Sequence, residues 1–150
     1  MTDSEIPVAP ARSDRRAPLH PDITEALIQR VVHRFYARVR ADERLGPIFE
    51  RRIGDHWAPH LDRMCDFWSS VLRMTGRYKG RPMPAHMKLK DVRPDDFERW
   101  LGLFRQTARE ECAPDVAALF IDRAQRIAGS LSLAMFFDPA RAGPSENTGA

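Results

Sequence analysis

Apolar residues recur at intervals of three and four along most of the chain, and no stretch alternates with period two. The first run, Ile23, Leu27, Val31, Phe35 and Val39, is widened by Ile28, Val32 and Tyr36, and predicts a helix from about Asp22 to Arg40. Asp22 and Glu25 stand at capping-box spacing at its start. Within Leu45-Gly46-Pro47-Ile48-Phe49 the expected break falls at Gly46 and the restart at Pro47, which leaves Phe49 on a tight corner facing inward. After Gly54-Asp55 a second stripe of His60, Met64, Phe67 with Trp68, and Val71 with Leu72 runs to about Met74. Pro59 must then sit in the first turn, because deeper in the helix it would remove a backbone hydrogen bond. Gly76, Gly80, Pro82 and Pro84 make residues 75–84 irregular, with room for only a short helical piece around His86. Pro94-Asp95-Asp96 opens a helix facing inward through Phe97, Trp100, Leu101, Phe104 and Ala108. Pro114-Asp115 opens the last, with Val116, Leu119, Phe120, Ala124, Ile127, Leu131, Ala134 and Met135 facing in.

The expected class is therefore all-α, with one domain over residues 21–137. Residues 1–20, with Pro7, Pro10 and Pro18 among Ser, Asp and Arg, read as a flexible arm, and residues 138–150 as a loose tail. A chain of 150 residues can bury one core and one cofactor pocket. With 43% hydrophobic and 30% charged residues it has the composition of a soluble globular protein. No run approaches the roughly 20 apolar residues of a bilayer span, and the amino terminus lacks the order of a secretory signal, so the expected compartment is the cytoplasm.

Charge and cysteine change the picture little. The net charge of +3 comes from basic residues interleaved with acidic ones, not gathered on one helix, so a nucleic-acid partner is not expected despite Arg51-Arg52 and the arginines between Arg12 and Arg16. Cys65 and Cys112 are too few for a disulfide framework or a zinc site, and no C-x-x-C-H run is present for covalent haem attachment.

The informative residues are the polar ones on apolar stripes. A bundle that needed only a core would use Leu, Ile and Val, yet Tyr36, His60, Trp68, Trp100 and His86 stand at or beside inward positions. Each carries a polar tip that costs about 1 to 3 kcal/mol when buried without a partner. Together they point to a cavity whose occupant coordinates and accepts hydrogen bonds. His86 by itself is either a surface or capping residue or the imidazole that a haem iron takes as axial ligand. Three other readings stand beside this one. His56 and His60, four apart, could grip a non-haem metal, although no Glu lies between them in the H-E-x-x-H manner and Pro59 disturbs the turn. A nucleic-acid-binding helical domain and a purely structural bundle are the others.

Taken in order, Phe35-Tyr36, Leu45-Gly46-Pro47-Ile48-Phe49, Trp57-x-x-His60, Phe67-Trp68, His86 and Trp100-Leu101-x-Leu103-Phe104 resemble the group III truncated globins over roughly Asp22 to Met135. Pro59, directly before the distal-side histidine, departs from the pattern, and both tails lie outside it. The resemblance implies a two-over-two helical sandwich around one haem b. It implies His86 as proximal ligand, Tyr36 and Trp100 as distal hydrogen-bond donors, His60 as the distal gate, Phe49 against the porphyrin and Met64 on the same distal wall. Dioxygen, nitric oxide or another diatomic would be the ligand, an unidentified reductase would keep the iron ferrous, and a monomer is the default. Two distal donors favour slow oxygen release, and with it nitric oxide dioxygenation or peroxide activation, over storage. Arg81 and Lys88 stand near the expected place of the propionates.

Overall fold

The computed structural model describes residues 17–79 and 92–136, which form five helices and no strand. These are α1 (Glu25–Ala41), α2 (Leu45–Ile53), α3 (Trp57–Arg73), α4 (Pro94–Glu111) and α5 (Pro114–Phe136). Helix α1 packs on α3, α4 packs on α5, and the two pairs meet where α1 crosses α4 and α3 touches α5. This is the expected two-over-two sandwich. The short α2 leans on α1 and closes one end.

Each helix begins and ends for local reasons. Thr24, not Asp22, caps α1, its Oγ1 accepting from the Leu27 N–H at 3.1 Å. The start lies two residues later than expected because Ile23, just before the cap, is wholly buried together with Ile28 at the fourth helical position, the spacing of a hydrophobic staple. The break before α2 likewise comes earlier than Gly46. Asp42 ends α1, and its carboxylate accepts from the Arg44 and Leu45 N–H groups at 3.0 and 2.8 Å. Gly46 then lies inside α2, where the helix crosses the end of α1 so closely that a Cβ would stand 2.6 Å from the Arg40 carbonyl oxygen. Pro59 is in the first turn of α3, as required, and α3 is already helical at Trp57. Met74 ends it in the left-handed conformation with φ 60. Asp96, in the first turn of α4, reaches back to the Arg93 N–H at 2.8 Å.

The core is aromatic at its centre. Phe104 lies between Trp68 and Trp100, its ring 5.1 Å from one and 5.8 Å from the other with planes within 15° and 13° of parallel. Phe35 meets Phe104 and Trp100 edge-on at 5.0 and 5.2 Å. Phe35, Phe104 and Phe120 are essentially inaccessible to solvent, and the described residues of the predicted faces of α1, α4 and α5 are buried or half-buried. Truncating one such ring to alanine costs about 3 to 5 kcal/mol, so this stack fixes how the two helix pairs sit.

The far end of the segment expected to be a loose arm is tied to the body. The Leu19 N–H donates to the Leu72 carbonyl at 2.8 Å, and His20 Nε2 lies 2.9 Å from the Asp115 carboxylate. No helix among the described residues is long and apolar enough to cross a membrane.

Candidate functional site

Where the two helix pairs diverge, a cavity of about 200 Å3 opens, walled by all five helices. A water molecule's share of liquid volume is about 30 Å3, so this is a built pocket and not a packing fault. Its walls are mostly apolar, with Ile48 and Phe49 from α2, Met64 and Phe67 from α3, Phe97 from α4 and Leu131 from α5. Tyr36, Phe49, His60, Met64 and Trp100, the predicted site residues on described elements, all line this one cavity. His86, Arg81 and Lys88 lie outside the described residues.

Tyr36 and His60 give the pocket its polar face. Tyr36 stands one turn before the end of α1's buried stripe, and burial raises its phenol pKa well above the usual value. It therefore stays a neutral O–H donor throughout the physiological range, and its hydroxyl has no hydrogen-bond partner among the described residues. His60, on the second turn of α3, has its ring 5.1 Å from Tyr36 at 86° and 5.6 Å from Trp57 at 89°. Phe49 closes the other side of Tyr36, edge-on at 6.1 Å. Trp100 is half-buried, its ring fixed from behind by Phe35 and Phe104.

Several residues of the cavity wall, among them Asp96, Arg63, Tyr78 and Val92, were not foreseen. Asp96 is 4% exposed at the cavity edge and is held by Arg44 through two hydrogen bonds of 2.8 Å, Nε to Oδ1 and Nη2 to Oδ2. The Arg44 guanidinium, with help from the Arg93 N–H, keeps its carboxyl below the ordinary value. The pair joins the α1–α2 corner to the base of the helix that carries Trp100. Arg63 also lines the cavity, one turn beyond His60; it is exposed and makes no ion pair or hydrogen bond among the described residues. Tyr78 packs edge-on to Phe67 at 5.2 Å, and burial raises its phenol pKa despite Arg63 nearby. Tyr78 and Val92 both line the cavity. Trp57 supports the site from behind, as developed below. Sequence periodicity gives no sign of Asp96 or Arg63, because both look like ordinary charges of a helix's first turns.

The chain matches no protein-family profile. It is 33% identical over 109 residues to the group 3 truncated hemoglobin ctb of Campylobacter jejuni, an alignment that spans 71% of this chain and 86% of that one. The crystal structure of group III truncated hemoglobin from Campylobacter jejuni superposes with a TM-score of 0.75 at 30% identity, over 79% of this chain and 95% of the other. The chain belongs to the group III truncated haemoglobins. Within this truncated haemoglobin, no three His, Cys, Asp or Glu side chains among the described residues come together as a metal-ion cluster. His56, the partner His60 would need for a non-haem site, is exposed at the start of α3 with Nδ1 3.3 Å from the Ile53 carbonyl. The cysteines are packing residues, since burial pushes the Cys65 and Cys112 thiols up to about 11.

Proposed function

We propose that this truncated haemoglobin holds one haem b in the cavity between its helix pairs and binds dioxygen, nitric oxide or another diatomic gas there. The observation that carries the reading is the neutral Tyr36 hydroxyl, on the wall of an apolar pocket beside His60 and Trp100 with no hydrogen-bond partner among the described residues. A donor left in that state serves an occupant that accepts a hydrogen bond. The apolar walls suit a flat hydrophobic cofactor, and Phe49 and Met64 pack against it. Arg63, exposed and lining the cavity with no anionic partner among the described residues, suits a carboxylate on that cofactor's edge.

His86 is the proposed axial ligand. It is eight residues beyond Tyr78 and six before Val92, both of which line the cavity, and at about 3.3 to 3.6 Å per residue the chain can bring its imidazole there from either side. When bound, the haem supplies the ferrous iron at which a gas ligand binds. What this chain's own residues do is hold that ligand: Tyr36 and Trp100 donate hydrogen bonds, Ile48, Phe67 and Leu131 exclude water, and His60 controls the way in. Two donors to a ligand that takes on negative charge contribute about 1.5 to 3 kcal/mol each, which favours slow release. Slow release fits chemistry on the bound gas, such as nitric oxide dioxygenation or peroxide activation, with an external reductase, better than oxygen carriage. A cytoplasmic monomer is the working state. The purified chain should take up hemin in a one-to-one ratio and, once reduced, shift its Soret band on exposure to carbon monoxide. Failure to bind hemin would refute the proposal.

A further inference from the structure

Behind His60 lies a closed group of three side chains that the binding of a gas does not itself require. Trp57, 7% exposed, stands one turn before His60 on α3. Its indole N–H donates to Glu50 Oε2 at 3.2 Å, and the Arg40 guanidinium lies over its ring, 4.4 Å from the centroid. Arg40 Nε donates to the same Glu50 oxygen at 3.0 Å, so each of the three side chains holds the other two. They come from the end of α1, the middle of α2 and the first turn of α3. The face of the group turned toward the cavity is the Trp57 ring, which meets His60 at 89° and Tyr36 at 59°.

The His60 imidazole is therefore confined between two rings, Tyr36 on one side and Trp57 on the other. Tyr36 is fixed by the core. Trp57 is buried with the core as well, but its indole N–H and the ring face under Arg40 are held by Glu50 and Arg40, whose side chains are 44% and 47% exposed. We propose that Arg40, Glu50 and Trp57 form a latch on the distal gate: while the Trp57 indole is bonded to Glu50, His60 is held in place and gas entry is slow, and release of that bond frees His60 to move. These are positioning residues, acting through His60. The inference rests on the haem reading above, and it makes ligand entry sensitive to salt, because the ion pair that completes the latch is at the surface.

The test uses the carbon monoxide complex of the reduced holoprotein, with rebinding after flash photolysis. Glu50→Ala removes the acceptor, and Trp57→Phe removes the donor while keeping a ring. Each should raise the bimolecular rate constant by about three- to tenfold, the range expected from freeing one half-exposed charge-assisted hydrogen bond. Raising salt from low to about 1 M should move the unaltered protein part of the same way. In a His60→Ala background, which has no gate to hold, Glu50→Ala should change nothing. Independently of ligand binding, the Trp57 indole N–H should exchange with deuterium faster in Glu50→Ala than in the unaltered protein. An unchanged rate in both single variants, or the same acceleration with and without His60, would overturn the latch. Loss of the Soret shift in the unaltered protein would instead overturn the haem reading itself.

Discussion

Replacing Tyr36 by phenylalanine separates a ligand-holding role from a structural one. The ring is 6% exposed and packs edge-on against Phe35 at 4.8 Å, Phe49 at 6.1 Å and His60 at 5.1 Å, all contacts that phenylalanine keeps. The only group lost is a hydroxyl with no partner among the described residues, so no hydrogen bond among those residues is given up. Removing a hydroxyl that faces the cavity and bonds no described residue is close to neutral, and the thermal midpoint of the hemin-free chain should change little. If that hydroxyl donates to the bound gas, its loss costs about 1.5 to 3 kcal/mol of holding energy. At about 1.4 kcal/mol per factor of ten, the oxygen dissociation rate should then rise roughly ten- to a hundredfold. The assay is stopped-flow displacement of oxygen by excess carbon monoxide from the reduced protein, with a thermal scan of each variant alongside. An unchanged dissociation rate, or a fall in the thermal midpoint that matches the change in rate, would show that Tyr36 serves packing and not the ligand.

Other outcomes follow from the same geometry. Asp96→Asn should destabilise the fold by about 1.5 to 3 kcal/mol at pH 7, because Arg44 loses a charged acceptor at a site where the carboxylate is 5% exposed. Since folding lowers the Asp96 pKa from 3.8, its contribution is fully present above that value and fades as pH falls through the lower folded value. Urea titrations of the two proteins should therefore differ at pH 7 and converge in acid. Gly46→Ala should cost about 1 to 3 kcal/mol in the same assay, as a Cβ 2.6 Å from the Arg40 carbonyl forces α2 away from α1, and an unchanged midpoint would contradict that close approach. With both thiols pushed up to about 11, iodoacetamide at pH 7.5 should label Cys65 and Cys112 on the order of a hundredfold more slowly than an unhindered cysteine.

The stripes of α1, α4 and α5 were legible because buried helical faces repeat in the sequence itself, and the order of aromatic and histidine positions was legible as a resemblance. What stayed hidden depends on partners distant in the chain. Thr24 caps α1 in place of Asp22 because Ile23 needs to be buried, a demand set by the helices packed around it. Gly46 reads as a helix breaker, yet its place is fixed by a carbonyl of the preceding helix, while the break itself is made by Asp42. Asp96 looks like a helix-opening acid and becomes part of the cavity edge only because Arg44, 52 residues earlier, reaches it. Trp57 and His60 are three apart on α3 and so share a side of the helix; that Trp57 is braced by Glu50 and Arg40 could not be read from spacing.

The claim on which the account depends is that an imidazole at position 86 carries the iron opposite Tyr36 and Trp100. The most direct measurement is the reduced, carbon monoxide-exposed absorption spectrum of His86→Gly, recorded with and without added imidazole. The account predicts a changed or lost Soret band in the variant and its return toward that of the unaltered protein when imidazole fills the space. A variant whose spectrum matches the unaltered protein without imidazole would contradict it.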